Sequence, residues 1–367
     1  MSKGKAVAVA VSVSVAFLAW LVLGHGEALA AVAGRAQWRY LWAALACSAA
    51  SYAMVGLALW EVLGLLGFPL SFPAVLGIAF VSNTANYFVS SVGVSGFALK
   101  AHLLRKRLVP YGTTVTASVV TSAMVYFVLA LIIAQGVGYL LLRAQGTRIQ
   151  LMEGILGLGA VLAMAGGMLA FFFDREIRGR ISQVVFRWVN QAAFLFSARE
   201  IPREDFAAFE AQLEEGLARI HADQRRLRRA ILYTVLDWGF MMLVLHFGFL
   251  AVGTRLPIGH LCTGFAVGQA ATLIPLLPGG LGAMEGGMAA TFAGFGVGWE
   301  EAMLAALLFR FAYYLVPGLC SVFLLWGLKV SEPALIEDTV SDTLPGELKL
   351  KAENLERGLA RRRTEAP

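Results

Sequence analysis

Charge is scarce in this 367-residue chain: Asp, Glu, Lys and Arg make up 15% of it, against 58% hydrophobic residues. With a mean hydropathy of +0.70, the apolar surface exceeds what a water-soluble fold of this size can hide, so a soluble globular protein is excluded. Cysteine is scarce too. Cys47, Cys262 and Cys320 all fall inside apolar runs without ligand spacing, which excludes a disulfide framework and a thiolate zinc site. There is no GxxxxGK[ST] loop, so ATP-driven pumping by this chain is not expected. His25, His102, His221, His246 and His260 show no HExxH or paired spacing, and neither a metal nor a cofactor is expected. Ser2 stands where myristoylation needs glycine, and the C-terminus has no prenylation cysteine, so no lipid anchor is expected.

Long apolar runs are what the sequence has instead. Six are long enough to cross a bilayer: Val7 to Leu23, Trp38 to Leu66, Thr113 to Leu142, Leu151 to Phe173, Ala230 to Val252 and Glu301 to Leu328. The first, preceded by Lys3 and Lys5, imitates a signal peptide but is long for one, and an uncleaved helix is expected. Two further apolar stretches are broken. Phe72 to Lys100 contains Ser82, Asn83, Thr84, Asn86, Ser90, Ser91, Gly93, Ser95 and Gly96, and Pro257 to Gly296 is interrupted at Pro275, Pro278, Gly279, Gly280 and Gly282. Backbone broken in this way cannot face lipid, and each stretch reads as a re-entrant hairpin of two half-helices. The expected fold is therefore all-α and polytopic, with about six spans and two broken hairpins.

The net charge of +6 and pI near 9.3 reflect basic clusters at helix ends, which the positive-inside rule explains without nucleic acid. Lys3 and Lys5, the cluster Lys100/Arg105/Lys106/Arg107, the stretch Arg175 to Arg229 and the triplet Arg361 to Arg363 all fall on one side if the chain crosses six times. Both termini are then cytoplasmic, in a bacterial inner membrane. The two hairpins enter from opposite sides, so span, hairpin, span from 38 to 142 recurs upside down from 230 to 328. This is an inverted repeat within a transmembrane domain of residues 1–330, followed by a cytoplasmic tail, 331–367. Between the halves, 174–229 carries Phe206, Phe209, Leu213, Leu217 and Ile220 at helical spacing. It reads as an amphipathic helix at the membrane or under the bundle, with a cytoplasmic partner or a second copy of the chain as the other expectation.

Ionisable groups inside a membrane are functional candidates because an unpaired one is costly there. Glu285 follows the glycine break, and Arg310 lies within the last span. A half-helix starting at Gly279, Gly280 and Gly282 aims free backbone N–H groups into the bundle, where they suit a phosphate. Glu285 then carries a proton or holds a cationic headgroup, and Arg310 forks onto phosphate oxygens. The plain alternative is a buried ion pair that only fixes the hairpin. Asn83, Asn86, Ser95 and Lys100 form the expected opposite wall, or satisfy unwound backbone. Tyr314, with Tyr313, stacks beside a headgroup or simply packs. Asp237 reads as an interior hydrogen-bonding group or a proton relay. The tetrad Gly93-Val94-Ser95-Gly96 spells the GxSG of intramembrane serine proteases, but the histidines come too late in the chain and no other landmark is present.

From Pro278 through Gly279-Gly280-Leu281-Gly282-Ala283-Met284 to Glu285, and at Arg310, Tyr314, Pro317 and Gly318, the chain resembles the lysylphosphatidylglycerol synthase transmembrane region, or flippase-like family. The resemblance implies a polytopic protein moving lipid between leaflets. In the first hairpin the family's PGRxGE-like element is replaced by Val92-Gly93-Val94-Ser95-Gly96-Phe97 and then Lys100. No soluble aminoacyl-transferase domain is seen, so synthesis of lysyl-phosphatidylglycerol is not expected. The expected function is flippase-like transport of an anionic phospholipid or polyprenyl-phosphate lipid. The alternatives are a membrane-embedded headgroup transferase with Glu285 as general base and a non-transporting accessory subunit.

Overall fold

In a computed structural model of the chain, the described residues are 26–88, 94–143, 210–219 except 212, 223–272 and 280–330, with scattered residues between 155 and 184. The expected span 7–23, most of 151–173, the breaks at Ser90, Ser91 and Gly93 and at Pro275, Pro278 and Gly279, the residues Phe206, Phe209 and Ile220, and the tail lie outside them. The chain divides into units of residues 1–322 and 323–367, and the architecture below is that of the first.

Every regular element among the described residues is helical. They are α1 (Gly26–Arg35), α2 (Arg39–Leu65), α3 (Phe72–Phe88), α4 (Val94–Arg105), α5 (Tyr111–Arg143), α6 (Gln224–Ala251), α7 (Ile258–Ala271), α8 (Ala283–Gly294), α9 (Trp299–Arg310), a π-helical turn at Phe311–Leu315 and α10 (Val316–Val330). Four stretches are long and apolar enough to cross a membrane: Arg39–Leu65, Tyr111–Gly136, Gln224–Ala251 and Trp299–Leu324. They match four of the six expected spans. Between them stand the two pairs of shorter helices, α3 with α4 and α7 with α8. A long helix, two short ones and a long one thus occur twice in succession. Two boundaries differ from the sequence reading. Helix α6 begins at Gln224, because the arginine-rich turn before Ala230 is itself helical, and the last span is interrupted by the π turn.

Helices α2 and α6 form the central seam and run antiparallel along their whole length. At one end the Gln37 N–H donates to the Ala251 carbonyl at 2.7 Å. Near the middle Ser51 bonds Asp237. At the other end Glu61, 2% exposed, takes a forked contact from Arg229, at 3.1 Å to Nε and 3.2 Å to Nη2. Lipid tails are as apolar as leucine, so helices associate in a bilayer through close packing and such polar contacts, each worth about 0.6 kcal/mol on average. Outward, Phe127 and Leu131 on α5, Leu232, Val235 and Leu236 on α6, and Leu319 and Val322 on α10 are exposed. Trp38, Trp42 and Tyr111, also exposed, sit at helix ends, where amphipathic rings suit the headgroup level.

The described part of the segment between the halves is docked. Leu213 and Leu217 are 1% and 4% exposed, and Gly216 faces Thr116 and Leu66. Arg219 pairs with Glu215 and donates to the Leu66 carbonyl at 3.1 Å, satisfying an acceptor that the end of α2 leaves open. Of the expected apolar face, Leu213 and Leu217 are covered by the chain itself.

Gly96 is not at the break of the first hairpin but in the opening turns of α4, where α3 crosses closely. A Cβ there would collide with the Ser82 carbonyl oxygen and the Asn86 amide. Overpacking of this kind costs about 1–3 kcal/mol. Gly96→Ala should therefore melt earlier in detergent. Gly138→Ala, in α5 with open space around its Cβ position, should be unchanged or slightly stabilised. Equal melting temperatures for the two variants would contradict the crossing.

Candidate functional site

The break before α8 leaves Gly280 and Gly282 with φ of +64° and +84°, a region closed to most side chains. Gly282 is the N-cap of α8 and has no side chain to cap it, so the helix is capped from within. Glu285, in its first turn, turns back and accepts the Gly282 N–H on Oε2 at 2.7 Å. This is the second half of a capping box, with a carboxylate at the positive end of the helix. Its other oxygen, Oε1, pairs with Nε of Arg310. Glu285 is 0% and Arg310 9% exposed.

Arg310 closes α9 and enters the π turn. Its guanidinium lies over the Tyr314 ring, 5.0 Å from the centroid, and Nη2 points at the Met284 sulfur at 3.9 Å. The Tyr314 hydroxyl also reaches that sulfur, at 3.7 Å. A π turn carries one extra residue, which rotates the following side chains, and such insertions concentrate at functional sites. Here it places Tyr313 and Tyr314 on two different neighbours.

The first half of the chain reaches this cluster through Tyr87 on α3. Its ring centroid is 4.4 Å from that of Tyr314 and 6.2 Å from that of Tyr313. The Asn83 amide donates to its hydroxyl at 3.4 Å, a weak contact. Asn83, Tyr87, Tyr314, Arg310 and Glu285 therefore form one continuous set drawn from both halves. Gln269 on α7 lies against Tyr314 and is 5% exposed. Its amide is buried and faces the Tyr314 hydroxyl as its hydrogen-bonding neighbour.

The other expected residues stand elsewhere. The Asn86 side chain accepts the Gly96 N–H at 2.8 Å, and Ser95 Oγ donates to the Ala85 carbonyl at 3.2 Å. Both satisfy backbone where α3 meets α4. Lys100, further along α4, is half-buried and pairs with no acid among the described residues. Gly280 packs against Thr272 at the end of α7, and Gly279 is outside the described residues. Sequence reasoning missed Tyr87, Gln269 and Glu61. A carboxylate inside an apolar span was signal enough for Glu61, whereas Tyr87 and Gln269 gain meaning only from what packs on them.

A guanidinium with aromatic backing, an amide and a helix N-terminus, chemistry of the kind that holds anions, are thus buried together, the guanidinium paired with Glu285. Comparison with known sequences agrees with a membrane role. The pattern describing the lysylphosphatidylglycerol synthase TM region matches residues 6–321. The chain is 22% identical over 254 residues to a UPF0104 membrane protein of Pyrococcus horikoshii, covering 68% of this chain and 75% of that protein. It is 32% identical over 108 residues to a UPF0104 membrane protein of Methanothermobacter thermautotrophicus, covering 29% of this chain and 31% of that one.

Removing one partner of a buried pair strands the other charge, at a cost of about 3–5 kcal/mol, whereas replacing both with apolar groups is often near neutral. Glu285→Ala should lower thermal stability in detergent sharply. The double variant Glu285→Leu with Arg310→Met should recover much of that loss. Additive losses in the double variant would show that the two side chains are not coupled.

Proposed function

Because the chain belongs to the lysylphosphatidylglycerol synthase transmembrane-region family, we propose that it moves an anionic, phosphate-bearing membrane lipid between leaflets of a bacterial cytoplasmic membrane. The observation that carries this reading is the buried Glu285–Arg310 pair at the start of the half-helix α8, with the buried Gln269 amide beside Tyr314. A lipid phosphate offers Arg310 two negative oxygens where Glu285 offers it one, so a headgroup can take Arg310 over from the carboxylate. Glu285, released from Arg310, takes up a proton, so that no second negative charge stands unpaired beside the phosphate, and it still accepts the Gly282 N–H. In such an exchange no cation has to be desolvated, because Arg310 is already buried.

The twice-repeated helix order, with α2 and α6 antiparallel, supports an inverted repeat. In that reading the pairs α3–α4 and α7–α8 are re-entrant hairpins entering from opposite faces, and the halves rock about the glycine breaks to open the site alternately. The basic residues Arg225, Arg226, Arg228 and Arg229, at the start of α6 and near the end of α2 that carries Glu61, support a cytoplasmic position for that face.

The test is dithionite bleaching of fluorescent lipids in proteoliposomes holding the full-length protein. The wild type should bleach an anionic phospholipid or polyprenyl-phosphate probe beyond the outer-leaflet fraction. Arg310→Lys keeps the charge but loses the fork and should slow bleaching about tenfold or more while the protein stays folded. Bleaching confined to the outer leaflet for every probe would remove the transport reading.

A further inference from the structure

A second buried polar cluster adjoins the ion pair, and headgroup binding makes no use of it. Asp237 stands at the middle of α6 and Ser51 at the middle of α2, the two antiparallel spans of the seam. Asp237 is 6%, Ser51 0% and Tyr313 1% exposed. Ser51 Oγ donates to Oδ1 of Asp237 in a short hydrogen bond and lies 3.2 Å from the Tyr313 hydroxyl. The Tyr52 hydroxyl donates to the Tyr313 carbonyl at 3.1 Å, inside the π turn.

Among the described residues, the surroundings of Asp237 hold no counter-charge. Tyr52 from α2, Tyr87 from α3 and Tyr313 from the π turn are the titratable groups that interact with its charge. The charged residues of α9 are Glu300 and Glu301 at its start and Arg310 at its end, the last paired with Glu285. On α7, His260 stacks on Phe295. No Lys, Arg or His among the described residues pairs with Asp237. A lone carboxylate at mid-span, held only by a hydroxyl, is the environment in which membrane proteins carry protons.

Hydrogen-bond arithmetic gives the proton a consequence. A hydroxyl has one hydrogen. When Asp237 is ionised, Ser51 spends its hydrogen on the carboxylate, and the 3.2 Å contact is then a hydrogen bond only if Tyr313 donates to Ser51. When Asp237 is protonated, its own O–H donates to Ser51, Ser51 turns to Tyr313, and the Tyr313 hydrogen is released to another acceptor. Tyr313 is the neighbour of Tyr314, on which the Arg310 guanidinium rests.

We propose that Asp237 is a proton-binding site, and that Ser51 and Tyr313 pass its occupancy to the π turn carrying Tyr314 and Arg310, so that transport is proton-linked. The proton is taken from water and returned to it, and no covalent bond besides the carboxyl O–H is made or broken. The linkage half of this inference rests on the transport reading; the proton site does not.

Two measurements on the full-length protein test the halves separately. Infrared difference spectra in nanodiscs across a pH titration should show a carboxylic C=O band that disappears as pH rises, shifts in D2O and is missing in Asp237→Asn. A band absent at every pH, or present at every pH, overturns the site. In proteoliposomes an imposed pH gradient should change the bleaching rate of the wild type several-fold. Asp237→Asn and Ser51→Ala, each checked for a monodisperse fold, should lose that response. A wild type that bleaches without regard to the gradient, or that responds to a sodium gradient instead, overturns the linkage. A titrating band in a protein that bleaches no probe removes the transport reading and leaves the proton site standing.

Discussion

Glu285 has no exposed surface, and in a bilayer both of its carboxylate oxygens must be answered by the protein itself. One oxygen takes the Gly282 N–H and the other takes Arg310. The first contact lets a helix begin at a glycine in a left-handed conformation, where no side chain could cap it. The second ties that helix to the last span. From this carboxylate follow the position of α8, the burial of Arg310, the seat of Tyr314 beneath the guanidinium and the approach of Tyr87 from the other half.

The π turn is the second structural element on which the interior depends. It follows Arg310 directly and sends consecutive tyrosines to different clusters, Tyr314 to the ion pair and Tyr313 to Ser51 and Tyr52. The antiparallel α2–α6 seam then holds Asp237 and Ser51 opposite one another at mid-span, with Glu61 and Arg229 locking one end. Charge and polarity thus occupy a few paired positions inside a body whose outer face is apolar.

Much of this is legible in the sequence because the bilayer forbids so much. Apolar run length locates Arg39–Leu65, Tyr111–Gly136, Gln224–Ala251 and Trp299–Leu324, and polar, glycine-broken runs locate both helix pairs. The cost of buried charge singles out Glu285 and Arg310 before any contact is known. Tertiary meaning is what sequence does not carry. Asn86 and Ser95 are polar residues near a glycine, as a binding wall would be, yet they bond backbone where α3 meets α4. Nothing in the local pattern around Tyr87 or Gln269 marks them, since their place is fixed by helices far away in the chain. The π turn is equally silent, because Phe311 to Leu315 reads as ordinary apolar helix.

The central claim of the transport reading is that a lipid headgroup reaches the buried Arg310. The most direct measurement is photo-crosslinking with an anionic phospholipid carrying a photoreactive group in its headgroup, followed by mass-spectrometric mapping of the adducts on the full-length protein in membranes. The account predicts adducts on Met284, Tyr314 or Tyr87 that excess unlabelled anionic lipid competes away. Adducts confined to exposed helix ends and to the outer face of α6, with none in the interior, would contradict it.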